Sequence, residues 1–195
     1  MKRIFNEGEF NQYKVNNLEE ARKPVMESFY EFAQAQITVF ISHKHSDLEQ
    51  LKGIIGFLEK EYNVKTYIDS RDPSMPKSTN GVTATRIKDR IFKCHKFILL
   101  ATNGAIESKW CNWELGYGDA QKFEKKCIAL FPMKPEGESD SLYKGNEYMQ
   151  IYPYIVYYDQ NERYKNGEPI QKGYYVCTHS EEGITIEPLR RWLNR

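Results

Sequence analysis

Residues 97–115 read FILLATNGAIESKWCNWEL, and their reading decides the fold. Phe97-Ile-Leu-Leu-Ala101 is apolar at every position, which marks a central strand covered on both faces rather than an edge strand with one wet side. Thr102-Asn103-Gly104 ends it. Ser108 then offers a helix N-cap, because its hydroxyl can accept from an early unpaired N–H, and the helix runs from about Lys109 to Phe123.

The same alternation extends in both directions. Ile37-Thr-Val-Phe-Ile41 is a short buried strand, and Ser46 with Glu49 three residues later has the form of a capping box. The next helix carries Leu48, Leu51, Ile54, Ile55 and Leu58 on one face. Val64-Lys-Thr-Tyr-Ile68 is the second strand, and Ser70 to Gly81, with two prolines and a glycine, reads as a long loop. Next comes a helix containing Ala84, Ile87 and Ile91. Cys127-Ile-Ala-Leu-Phe131 is the fourth strand and Tyr154-Ile-Val-Tyr-Tyr158 the fifth. Strands alternating with helices specify an α/β fold: a flavodoxin-like, doubly wound, mainly parallel five-stranded sheet. Asn166-Gly167 is a turn signal, Tyr174 to Thr178 is a candidate further strand, and Pro188 suits the first turn of a closing helix over Leu189 to Leu193.

Residues 1–36 differ in pattern from the rest of the chain. Leu18, Ala21, Val25, Phe29 and Phe32 recur at three- and four-residue spacing, so this segment is expected to be an N-terminal helical extension packed on the edge of a domain spanning 37–195.

Composition excludes several classes of function. The chain has 195 residues, a formal net charge of +1 and 40% hydrophobic residues, so it folds and carries no basic face for nucleic acid. MKRIFNEGEF has no apolar stretch behind its two charges and does not read as a signal peptide, and the apolar runs are too short to span a bilayer. A cytoplasmic protein with no membrane and no nucleic-acid partner is the expectation. Cys94, Cys111, Cys127 and Cys177 form no CxxC pair and are expected as separate reduced thiols.

Two constellations carry chemistry. FISHKHSD, over residues 40–47, has two histidines and a carboxylate at a strand end, like the start of the HxHxDH signature of metallo-β-lactamase-like hydrolases. Leu48 stands where that signature needs its third histidine. Only His95 and His179 remain to complete a tetrahedral set, so no metal is expected. In an open α/β sheet, ligands bind outside the carboxyl ends of the strands. Ser42, His43, Lys44 and His45 occupy that edge after the first strand, Asp69 and Arg71 after the second. Lys and His donors there suit a phosphate-bearing ligand.

The second constellation is Trp110-x-x-x-Glu114, one turn apart on a helix face. A carboxylate beside an indole is partly buried, and a buried carboxylate is costly unless something uses it. Trp113 faces elsewhere and reads as core.

Together these stretches resemble the TIR (Toll/interleukin-1 receptor) domain, over about Ile37 to Tyr158. FISHKHSD resembles the family's first strand and loop, YIDSRDPSMPKSTNG its long loop after strand two, and S-x-W-C-x-x-E-L the helix with its W-x-x-x-E motif. In bacterial and plant members that glutamate is the catalytic residue of an NAD glycohydrolase. The resemblance therefore implies that Glu114 is catalytic, with NAD+ as substrate and no cofactor. Ser42, His43, Lys44, His45, Asp69, Arg71 and Trp110 would contact the nucleotide, with residues 70–81 closing over it. Also implied are self-association through TIR contacts and, by likeness to stand-alone bacterial members, antiphage defence of the Thoeris kind with a separate effector that senses the product. A non-enzymatic adaptor module and a nucleoside deoxyribosyltransferase-like enzyme are the alternatives.

Overall fold

The structure is a computed structural model that describes residues 1–16, 18, 36–68 and 81–195. Its strands are β1 (Phe5–Asn6), β2 (Thr38–Ser42), β3 (Lys65–Tyr67), β4 (Lys96–Ala101), β5 (Ile128–Lys134), β6 (Tyr154–Tyr158), β7 (Gly173–Ser180) and β8 (Gly183–Pro188). Its helices are α1 (Leu48–Tyr62), α2 (Gly81–Lys93), α3 (Asn103–Ile106), α4 (Lys109–Lys122), α5 (Tyr148–Ile151) and α6 (Leu189–Asn194).

Side chains alternate across a strand, so the sheet sorts its residues between two cores. Val39 and Ile41 of β2, with Ile98 and Leu100 of β4, pack under α1 and α6. Phe40 of β2, with Phe97, Leu99 and Ala101 of β4, faces α2 and α4. All of β2 and β4 is buried, as the unbroken apolar run of β4 requires. Leu51, Ile54, Ile55 and Leu58 of α1 are fully covered. Burying four such side chains favours folding by roughly 6–12 kcal/mol before chain entropy is counted.

The order is β3-β2-β4-β5-β6, all parallel, continued by antiparallel β7 and β8. The expected five-stranded parallel core is present, and three more strands enlarge it. The chain leaves β2 toward β3 and then returns past β2 to β4. The direction of winding thus reverses between β2 and β4, and the crevice outside their carboxyl ends is the ligand position of such sheets.

One expectation needs correction. Residues 2–13 do not pack at a domain edge. Lys2 bridges to Tyr157 of β6, while Phe5 and Asn6 pair in parallel with Met133 and Lys134 of β5, so the segment fits where β5 and β6 diverge. Phe5 and Phe10 are buried among Phe57, Phe131 and Tyr174. The backbone of residues 10–13 then lies on α1 at Gly53 and Gly56, where a Cβ would fall 2.8 Å from the Phe10 carbonyl oxygen and 1.8 Å from that of Tyr13. Only glycine admits so close an approach. Of the helix expected over Leu18 to Phe32, all but Leu18 lies outside the described residues.

Candidate functional site

Ser42 ends β2, and Glu114 occupies the second turn of α4 across the crevice from it. Ser108 caps α4 as expected, its hydroxyl accepting from the Cys111 N–H. That cap fixes the start of α4, and so places Glu114 on the face turned to the sheet. Glu114 is 2% exposed, and the Ser42 hydroxyl, 1% exposed, donates to its Oε2 at 2.5 Å. A buried carboxylate needs such donors to offset its lost hydration. Cys111 lies against both groups. Burial pushes its thiol up to about 11, with the Glu114 charge adding to the rise and bonds to Ser108 and Ser42 opposing it.

The loop after β2 is drawn across the crevice by a second short bond. Thr102, next after β4, donates to Asp47 Oδ2 at 2.5 Å while its own hydroxyl accepts from the Ala105 N–H to cap α3. This changes the reading of Ser46 and Glu49. Residues His45–Asp47 form a 3-10 turn, α1 begins at Leu48, and Ser46 donates to Asp47 Oδ1 instead of capping the helix. Asp47 precedes α1 without a side-chain cap bond, its carboxylate being taken by Ser46 and by Thr102 just beyond β4.

The four residues after the first strand separate by role. Ser42 is committed to Glu114. His43 is buried, with Nδ1 3.3 Å from the Ile41 carbonyl oxygen. Lys44 is half-buried and lies along α3, where a Cβ at Gly104 would sit 3.2 Å from its Nζ. His45 is exposed. Asp69 and Arg71, with the rest of residues 69–80, lie outside the described residues.

Trp110 is half-buried one turn before Glu114. Trp113 packs against the core as expected but does not face away from Trp110. Its ring stacks on that of Trp110, with centroids 4.8 Å apart and planes at 30°, and Lys88 lies 5.7 Å above it. Residues i and i+3 of a helix are neighbours, and two indoles at that spacing meet.

The histidines needed for the metal reading sit elsewhere. His95 Nδ1 accepts from the Thr38 N–H at the amino end of β2. His179 lies between Tyr154 and Gln150. Among the described residues no group of three or more metal-ligating side chains converges.

A groove of about 710 Å³ lies at the other end of the sheet, lined in part by Phe123, Thr178, Glu182, Trp192 and Arg195. It contains none of the residues singled out by sequence. Glu114 is the better centre, because it is a buried carboxylate at the switch point of the sheet, where ligands of such folds bind.

The TIR domain family model matches residues 39–166, a span that includes Ser42, Lys44, Trp110 and Glu114. A curated relative, "Probable 3' cyclic ADP-D-ribose synthase ThsB'" of Bacillus cereus (strain MSX-D12), is 28% identical over 141 residues, which is 70% of each chain. Among solved structures, the TIR domains of the activated Roq1 resistosome bound to the effector XopQ match at 15% identity and a TM-score of 0.39, over 53% of this chain and 60% of that one. With a model match over well more than half of its length, this chain belongs to the TIR domain family.

Proposed function

We propose that the chain cleaves the nicotinamide–ribose bond of NAD+, with Glu114 as the catalytic carboxylate. The observation that carries this reading is the 2%-exposed Glu114 held by Ser42 at the mouth of the β2/β4 crevice. Nicotinamide in NAD+ is a pyridinium, so it departs as a neutral molecule when the C–N electron pair moves to its ring nitrogen. No general acid is needed, in contrast to the alcohol leaving group of a glycosidase. Charge develops instead on the ribose as an oxocarbenium. A fixed anion beside C1′ stabilises it, and the low dielectric of the crevice strengthens the effect.

The other residues serve that step. Ser42 holds the carboxylate in place, so that no reorganisation is required as charge appears. Trp110 offers a flat apolar face to the nicotinamide or ribose, with Trp113 stacked behind it. Lys44 supplies a cation for the pyrophosphate, and Asp69 and Arg71 are assigned to the same nucleotide.

The name of the Bacillus cereus relative favours a cyclic ADP-ribose over the linear product. Cyclisation requires a nucleophile within the ADP-ribose to reach C1′ before water, which is a matter of crevice shape. We further infer that the product is a signal in bacterial antiphage defence, read by a separate effector, and that the chain self-associates in the cytoplasm.

The test is release of nicotinamide from NAD+ and fluorescence from an etheno-NAD analogue, using the purified chain and Glu114→Gln. Turnover by the wild type and not by the variant is expected. A wild-type chain inert toward NAD+, free or assembled, would make it an adaptor module, and base exchange on deoxynucleosides would make it a transferase.

A further inference from the structure

The amino edge of the sheet holds a nucleophile pair that NAD+ cleavage does not use. Phe97 of β4 and Ile128 of β5 are register partners, and the Phe97 N–H donates to the Cys127 carbonyl at 2.9 Å. One residue back on each strand, Lys96 and Cys127 are therefore neighbours by sheet geometry. Lys96 Nζ lies 3.3 Å from Cys127 Sγ. The amine is completely buried, 3.1 Å from the Arg195 carbonyl oxygen and 4.9 Å from the centre of the Trp192 ring. The sulfur, in contrast, is only half-buried.

We propose that Cys127 and Lys96 are a redox modification site, at which hydrogen peroxide drives formation of a direct Sγ–Nζ bond. In the first step the Cys127 thiolate attacks one peroxide oxygen. The O–O bond breaks, hydroxide leaves and takes up a proton as water, and the oxidised sulfur is a sulfenic acid. In the second step the neutral Lys96 amine attacks that sulfur. The S–O bond breaks, and the departing hydroxide takes the proton released from nitrogen, giving a second water. Overall, thiol, amine and one peroxide yield the S–N bond and two waters.

Three features favour this pair over other thiols and amines. The remaining cysteines are buried to 1% exposure, out of reach of a peroxide in solvent. Burial also holds the Lys96 ammonium below its ordinary value, which favours the neutral nucleophile, while burial of Cys94 and Cys111 raises their thiols to about 12 and about 11 and keeps them unreactive. Finally, the backbone pairing of β4 and β5 sets the two residues side by side, and Arg195 and Trp192 hold the amine within 3.3 Å of the sulfur. The bond would close a loop from residue 96 to 127 that contains all of α3 and α4, Glu114 included. It would also withdraw Lys96 from the Arg195 carbonyl and from Trp192.

The experiment treats the purified chain with a small excess of hydrogen peroxide and follows intact mass and tryptic peptides. The expected product is lighter by about 2 Da, lacks cleavage after Lys96, yields a fused peptide joining Lys96 to Cys127, and returns to the starting mass with dithiothreitol. Cys127→Ser should abolish it. Lys96→Arg keeps a cation but no nucleophilic amine, so it should accumulate oxygen on Cys127 instead. Should Lys96→Arg fail to fold, the wild-type map alone decides. Oxygen on wild-type Cys127 with Lys96 still cleaved, a Cys–Cys disulfide, or an untouched Cys127 would each overturn the proposal.

Discussion

The β2–β4 crevice and the amino edge of this sheet bury charges of opposite sign. In the crevice the buried charge is Glu114, held by a hydroxyl, while the buried Lys134 at the end of β5 has Asp140 beside it. At the amino edge the buried groups are Lys96 and Lys122, held mainly by backbone carbonyls. Lys122 Nζ donates to the Phe92 and Cys94 carbonyls at 3.0 and 2.6 Å, which close the carboxyl end of α2. The sheet topology accounts for the division. Helices that connect parallel strands begin at the carboxyl edge and end at the amino edge, so unpaired N–H groups gather at one and unpaired carbonyls at the other. An anion is stabilised at the first and a cation at the second. Site and scaffold are thus the same device used with opposite polarity.

If this division is correct, removing the charge from Glu114 costs rate without costing stability. Glu114→Gln keeps the shape and can still accept from Ser42. It should lower NAD+ cleavage by about 10²–10³, the usual effect of losing one preorganised electrostatic contact. The measurement is initial rate, with thermal unfolding as the control. A variant within tenfold of wild type would remove Glu114 from the chemistry.

The mirror experiment at the amino edge should do the reverse. Lys122→Met keeps the stem but leaves the Phe92 and Cys94 carbonyls without their donor, at a cost of about 2–3 kcal/mol in unfolding free energy. NAD+ cleavage per folded molecule should be unchanged. A variant with wild-type denaturant midpoint would mean that water replaces the amine and that the amino edge is not a structural anchor.

How much of this division could be read from sequence depends on where each partner lies. The uniform apolar run of β4 and the Ser108 cap are local signals, and both elements appear where expected. The burial of Glu114 is legible because Trp110 shares its helix face. The donor to that carboxylate is not, since Ser42 is 72 positions away and only the sheet brings the two together. Ser46 looked like a cap because local spacing cannot register the bond from Thr102 to Asp47. Strand β8 escaped notice because GITIEP is largely exposed, with Ile184 49% exposed, and has no apolar run. Strand β1 escaped for another reason. Two residues suffice for it, and their partners, Met133 and Lys134 of β5, lie far along the chain.

Ser42→Ala tests the coupling within the carboxyl edge and should have a smaller effect than Glu114→Gln. The charge remains, but Oε2 loses a hydrogen bond to a charged group, worth about 1.5 kcal/mol at the low end of the usual range. A fall in kcat of roughly tenfold is expected, with KM for NAD+ little changed. A rise in KM at constant kcat would show instead that the hydroxyl binds substrate.

The smallest effect concerns pH at the amino edge. Cys94 is 1% exposed, and burial raises its thiol from the ordinary 9.0 to about 12, with the nearby Lys122 charge and a bond to Thr38 opposing the rise. Above pH 9 the unfolded chain therefore loses a proton that the folded chain keeps, and stability falls as pH rises from 9 toward 12. By pH 10 the loss from this group is on the order of 1 kcal/mol. Lys96 and Lys122 act with the opposite sign. Burial lowers both, so between their folded values and 10.5 the folded chain has shed protons that the unfolded chain retains, and stability rises with pH. Absolute curves thus mix the two contributions. Cys94→Ala should lose about 1 kcal/mol less than wild type between pH 8 and pH 10 in urea unfolding, whatever its stability at pH 8, a difference that contains the Cys94 ionisation together with its coupling to Lys122. Parallel curves over that range would show that Cys94 ionises as freely in the folded chain as in the unfolded one, and that the amino edge is wetter than its burial implies.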